Sequence, residues 1–133
     1  MNLPGVKIVL DTPSRSYHQG DALAGQFALE GIAAEDLRSV ELSVLWHTEG
    51  KGEEDMSVHF FERLDPQNGQ AFDPRLPHRF STTLPNSPLS YGGFIVKICW
   101  CVRVRVFLNR GKELSVEVPF RLGKVPQPEP VAT

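Results

Sequence analysis

Apolar residues recur at every second position along most of this chain. Val6, Ile8 and Leu10 share one side of a first segment, and Leu23, Gly25, Phe27 and Leu29 one side of a second. Val40, Leu42, Val44 and Trp46 mark a third strand, Met56, Val58 and Phe60 a fourth, and Phe80, Thr82 and Leu84 a fifth. The longest run puts Val96, Ile98, Trp100, Val102, Val104, Val106 and Leu108 on one face. Its other face carries Lys97, Cys99, Cys101, Arg103, Arg105 and Phe107. Leu114, Val116, Val118, Phe120 and Leu122 form the last strand. A period of two with β-branched and aromatic enrichment is the pattern of half-buried antiparallel strands. About seven strands without interleaved helices predict an all-β fold, a two-sheet antiparallel β-sandwich of immunoglobulin-like layout.

The final hairpin can be paired residue by residue. Asn109-Arg110-Gly111 reads as a three-residue loop, with Gly111 free to take the positive φ such loops use. Pairing about Arg110 sets Val106 opposite Leu114, Val104 opposite Val116, Val102 opposite Val118 and Trp100 opposite Phe120, with Arg103 facing Glu117 outside. A slip of one residue would oppose apolar to polar throughout, so the register is well specified. Pro119 has no N–H for a ladder and predicts a sheet edge near that point. Residues 32–37 suggest one helical turn, 48–55 an acidic loop and 64–79 a long irregular one.

A chain of 133 residues is sized for one domain, expected over residues 1–124 with a Pro-rich tail at 125–133. Charge is uneven: residues 1–74 hold 5 Lys/Arg against 13 Asp/Glu, and residues 75–133 hold 9 against 3. A sandwich that interleaves the halves cancels this. The net charge of −2 argues against nucleic acid as a partner. The apolar patch near the start is too short for a signal-peptide core, and Lys97, Arg103 and Arg105 interrupt the longest apolar run. The expectation is no membrane span, a cytoplasmic setting and reduced thiols.

Candidate chemistry is sparse. No nucleophile elbow, phosphate-binding loop or dinucleotide fingerprint occurs, and Glu53, Glu54 and Asp55 read as a solvated charge run. The expectation is no enzyme and no cofactor. Cys99 and Cys101 share the outer face of one strand, so a metal would need ligands from another, where His47 is the sole loose candidate. Two inert thiols are the plainer reading, and no metal site is assigned. Trp46 and Trp100 both fall in inward sets, which favours core over sugar platform.

Two segments resemble the arrestin-like family of arrestins, α-arrestins and the arrestin-shaped retromer subunit. Gly20-Asp21-Ala22-Leu23-Ala24-Gly25 is similar to the family's Gly-Asp-x-Leu-x-Gly entry to its second strand. Leu84-Pro85-Asn86-Ser87-Pro88-Leu89-Ser90-Tyr91-Gly92-Gly93, followed by the long strand through Trp100, is similar to its Pro-x-Ser-x-x-Ser-Tyr/Phe-x-Gly segment. The resemblance covers residues 6–122 and implies one lobe where those proteins have two, so receptor and retromer binding do not carry over. It implies a non-catalytic adaptor or scaffold, set in trafficking or sorting.

The first contact surface to consider is Lys97, Arg103, Arg105 and Phe107, since arginine's planar fork fits acidic or phosphorylated segments of other proteins. The competing reading pairs both arginines internally, with Glu117 and Glu41. Self-association through an edge strand would restore a second lobe. A small-ligand or carbohydrate-binding sandwich is the alternative function.

Overall fold

The computed structural model describes residues 3–52, 54–66, 72–93 and 96–123. Among them run strands β1 (Gly5–Leu10), β2 (Ser16–Tyr17), β3 (Ala22–Glu30), β4 (Leu37–Gly50), β5 (Met56–Leu64), β6 (His78–Thr83), β7 (Tyr91–Gly92), β8 (Val96–Leu108) and β9 (Glu113–Leu122). They form two sheets, one ordered β1-β3-β6 and the other β2-β9-β8-β4-β5, with β7 joining β8 beyond the end of β9. The two-sheet sandwich is thus observed, with two strands more than alternation revealed. Both extra strands, β2 and β7, are two residues long and cannot display a period. One of them corrects the all-antiparallel expectation: β2 runs parallel to β9, Ser16 beside Arg121 and Tyr17 beside Leu122.

The hairpin register matches the sequence pairing at every inward position from Trp100–Phe120 to Val106–Leu114, and Arg103 faces Glu117. Its loop takes two left-handed residues, Arg110 at φ 65° and Gly111 at φ 72°. Strand β2 reaches β9 only at Arg121, so Pro119 sits where the outer edge of β9 is unpaired, as its missing N–H demands. The helical hint resolves to one short turn at Ala34–Asp36. Strand β4 extends past Trp46 to Gly50, since Thr48, Glu49 and Gly50 pair with Ile98, Lys97 and Val96. Residues 48–50, expected in the acidic loop, therefore belong to the sheet.

Between the sheets lie Leu23, Phe27, Leu42, Val44, Trp100 and Val104, each at most 1% exposed. Trp100 also donates its indole N–H to the Pro88 carbonyl at 2.8 Å. The halves of opposite charge interleave: Arg79 of β6 grips the Asp11 carboxylate through both guanidinium arms. That grip holds Asp11 below the usual carboxylate range. Among the described residues no helix is long and apolar enough to cross a membrane. The tail expected at 125–133, and Glu53 of the acidic run, lie outside the described residues.

Strand β5 departs from the expected alternation. Val44 pairs with Phe60 and Leu45 with Val58, so His59 is an extra residue in a bulge. Beyond it the side chains change faces: Phe60 packs on the core, whereas Met56 and Val58 point outward, 53% and 45% exposed. The inward polar residues of β5 close the side of the sandwich against β6. His59 Nε2–H donates to the Thr83 carbonyl at 2.7 Å, and His78 Nε2–H to Glu62 Oε1 at 3.0 Å.

Candidate functional site

The outer face of the larger sheet is where the chain displays chemistry. Its rows run across β5, β4, β8 and β9 in register: Val58, Leu45, Cys101 and Pro119 in one, Phe61, Ser43, Arg103 and Glu117 in the next, Arg63, Glu41, Arg105 and Ser115 beyond. Leu45 is 1% exposed although it points away from the intersheet core. This face therefore has a small apolar layer of its own, with Val58 and Cys101 flanking Leu45.

The structure brings Lys97, Arg103, Arg105 and Phe107 onto this one face, in line along β8. Lys97 is exposed and Phe107 half-buried. Arg103 lies 3.4 Å from Glu117. Arg105 donates to both carboxylate oxygens of Glu113 at 2.9–3.1 Å, lies 3.9 Å from Glu41, and stacks 5.1 Å from the Phe107 ring centre. Internal pairing with Glu117 and Glu41 is thus present, and Glu113 is the partner that sequence reasoning missed. It faces Phe107, not Arg105, in the register and reaches its arginine diagonally.

An Arg105→Glu variant would set a third carboxylate among Glu41 and Glu113. Exposed pairs are worth roughly 0.2–1 kcal/mol each, so replacing attraction by repulsion should cost about 1–2 kcal/mol. Thermal melts should show a loss of several degrees at low ionic strength that shrinks in concentrated salt. A melting temperature unmoved at both salt levels would show that these pairs contribute nothing.

Strand β5 ends the sheet. Among the described residues it pairs with β4 alone, and its outward side chains Met56, Val58 and Phe61 are 53%, 45% and 53% exposed. A strand with one open edge and exposed apolar groups beside it is able to accept a further strand. Two open depressions flank the middle of the face. One of about 280 Å³ lies by Arg38, Glu41, Arg63, Phe107 and Glu113. The other, of about 550 Å³, is bordered by His47, Glu49, Glu54, Asp55, Arg103 and Glu117.

Beneath the second depression the structure gathers residues that were separate in the sequence. His47 faces Cys99 across β4 and β8, and the Cys101 thiol donates to Glu117 Oε2 at 3.2 Å. Burial, then the Glu117 carboxylate, push the Cys101 thiol up to about 12. Burial and Glu49 raise Cys99 as well. Both sulfurs are protonated at neutral pH and are poor nucleophiles as they stand. The sequence named His47 as a loose candidate; Glu117 was legible only as the mate of Arg103. The β4–β8 register, which decides that His47 reaches the cysteines, has no local signal. Trp100 is 1% exposed and Trp46 is partly buried against the core, so neither offers a platform for a sugar ring.

Neither a family model nor a curated protein matches the sequence. Solved structures do match the fold. Among them is Spo0M, a sporulation control protein from Bacillus subtilis, with a TM-score of 0.62 and 16% identity over 95% of this chain. The match takes in 51% of Spo0M, so the chain spans about half the length of that protein. At this identity the likeness concerns the fold. Two sheets in this arrangement, with the hairpin of β8 and β9 at the centre, form an arrestin-like β-sandwich.

Proposed function

We propose that this chain is a non-catalytic protein-interaction module, an adaptor or scaffold of arrestin-like type, that receives an extended segment of another protein along β5. The observation that carries this reading is the open edge of β5 with Met56, Val58 and Phe61 exposed beside it. Strand addition supplies main-chain hydrogen bonds, and alternate side chains supply selectivity. Lys97, Arg103, Arg105 and Phe107 lie further in on the same face and meet a partner broad enough to cover it. Their carboxylate neighbours make them a source of orientation more than of affinity, whether the partner's segment is acidic or phosphorylated. A role in trafficking or sorting, in the cytoplasm, is the setting the family resemblance suggests. Spo0M carries a regulatory title, sporulation control, which fits a module that acts by binding.

Panning a library of displayed linear peptides on the intact protein should select binders. Val58→Lys combined with Phe61→Lys should weaken them by at least about tenfold, with a loss of melting temperature of only a few degrees, because both side chains are about half exposed and Val58 also flanks Leu45. Binders indifferent to the double substitution would remove β5 as the docking edge. A dimeric mass in light scattering, lost in the same variant, would instead give the edge to a second copy of this chain.

A further inference from the structure

The outer face also holds a mixed sulfur, nitrogen and oxygen donor set that strand docking does not use. His47 from β4, Cys101 from β8 and Glu117 from β9 sit on three adjacent strands, and one donor atom from each lies within 4.8 Å of the other two. The sulfur and the carboxylate are already in hydrogen-bond contact at 3.2 Å. We propose that His47, Cys101 and Glu117 bind a single zinc ion on the outer face of the sheet.

Geometry supports this reading. Zinc bonds of roughly 2.0–2.3 Å in a tetrahedron hold ligand atoms roughly 3.3–3.8 Å apart. A triangle with sides no longer than 4.8 Å needs to close by only about 1 Å to reach that size. Thiolate and imidazole suit zinc; calcium and magnesium take oxygen ligands. Glu49 Oε2 stands 3.9 Å from His47 Nδ1, beyond hydrogen-bond distance as it stands, and is a nearby carboxylate able to approach a metal-bound imidazole. Access is provided by the depression of about 550 Å³ above the site, where Glu49, Glu54 and Asp55 draw in cations. Its open side leaves the fourth coordination position to water.

The proton held on the buried Cys101 sulfur and the Arg103 guanidinium both oppose the metal. Arg103 lies 3.4 Å from Glu117 Oε2 and competes with zinc for that carboxylate. Removing this competitor therefore favours the ion, an effect with a sign that a merely structural role of Arg103 would not produce. Binding also displaces the proton on the Cys101 sulfur, which leaves to solvent as the Zn–S bond forms.

The test uses the intact chain, reduced and stripped with a chelator, titrated with Co²⁺ as an optical probe and then with Zn²⁺. The expected result is one Co²⁺ per chain, with a thiolate-to-cobalt charge-transfer band and the visible bands of a tetrahedral centre, both erased by Zn²⁺. Cys101→Ser should abolish the charge-transfer band. Because Cys101 is buried, two variants at more exposed positions guard against loss of folding. His47→Gln and Glu117→Gln each remove a ligand and should weaken Zn²⁺ at least as much as losing an outer partner does, about tenfold to a hundredfold or more, and Arg103→Gln should tighten it severalfold. The proposal is overturned if the unaltered chain gives no stoichiometric cobalt spectrum. It is equally overturned if the band survives in Cys101→Ser and vanishes in Cys99→Ser, or if affinity ignores both His47→Gln and Glu117→Gln.

Discussion

Trp100→Ala should lower the stability of this domain by about 3–5 kcal/mol, the usual cost of emptying a large aromatic site in a packed core. The indole is 1% exposed and sits in the middle of β8, the central strand of the larger sheet. Phe120 lies 5.8 Å away by ring centres, and the His59 ring meets the indole edge-on at 6.2 Å. The bulge in β5 is what turns His59 inward, so one cavity would loosen two strands at once. Trp100→Phe separates the contributions. It keeps most of the apolar volume and removes the 2.8 Å hydrogen bond to Pro88, leaving that carbonyl without its donor. A loss of about 1–3 kcal/mol is expected for it. For a domain of this size the alanine variant should melt about 10–20 °C lower. A loss below about 1 kcal/mol for Trp100→Ala would mean that the indole is not sealed between the sheets.

What made Trp100 readable was strict alternation over a long strand closed by a tight turn. Between Val96 and Leu122 every odd and even position agreed with one register, and the hairpin was legible down to its residue pairs. Elsewhere the signals were local and the structure was not. The Met56, Val58, Phe60 pattern described a regular strand, yet the cross-strand register slips at His59. An inserted residue leaves no mark in an apolar pattern when residues on both sides of it are hydrophobic. The two-residue strands β2 and β7 escaped for the opposite reason, having too few positions to show any period. The outer face divides the same way. Lys97, Arg103, Arg105 and Phe107 could be assigned to one side by counting, and Glu117 through the hairpin. The approach of His47 to Cys99 and Cys101 depends on how β4 aligns with β8, strands with the whole of β5 to β7 between them in the chain. Long-range register is set by the total packing of both faces, which no local window contains.

Gly25→Ala should be the most damaging of the small substitutions, at about 1–2 kcal/mol net. Gly25 lies at the centre of the three-stranded sheet, paired with Leu10 on one side and Phe80 on the other. A Cβ there would stand 2.5 Å from the Val9 carbonyl oxygen and 3.1 Å from both the Leu10 Cα and the Phe80 ring. The closest obstacle is backbone, so relief requires β1 to move, and forcing atoms into a filled space typically costs about 1–3 kcal/mol. Opposing this, alanine restricts the unfolded chain and returns roughly 0.4–1 kcal/mol, which the clash outweighs. Gly5→Ala is the control: nothing lies within 4 Å of its Cβ, so the entropic gain should leave stability unchanged or slightly higher. The two glycines of the Gly20-Asp21-Ala22-Leu23-Ala24-Gly25 segment thus serve different ends. Gly20 has open space but a φ of +81°, and it lets the chain turn so that the Asp21 carboxylate accepts the His18 N–H at 2.8 Å. Gly25 is needed for its missing side chain, where the neighbouring edge strand β1 comes close at Val9 and Leu10. Urea unfolding of the three variants would separate these causes. Gly25→Ala should unfold at a clearly lower midpoint with an unchanged slope, Gly20→Ala should lose about 1 kcal/mol from its left-handed backbone alone, and Gly5→Ala should match the parent. Equal midpoints for Gly25→Ala and Gly5→Ala would mean that β1 does not approach β3 as closely as the structure requires.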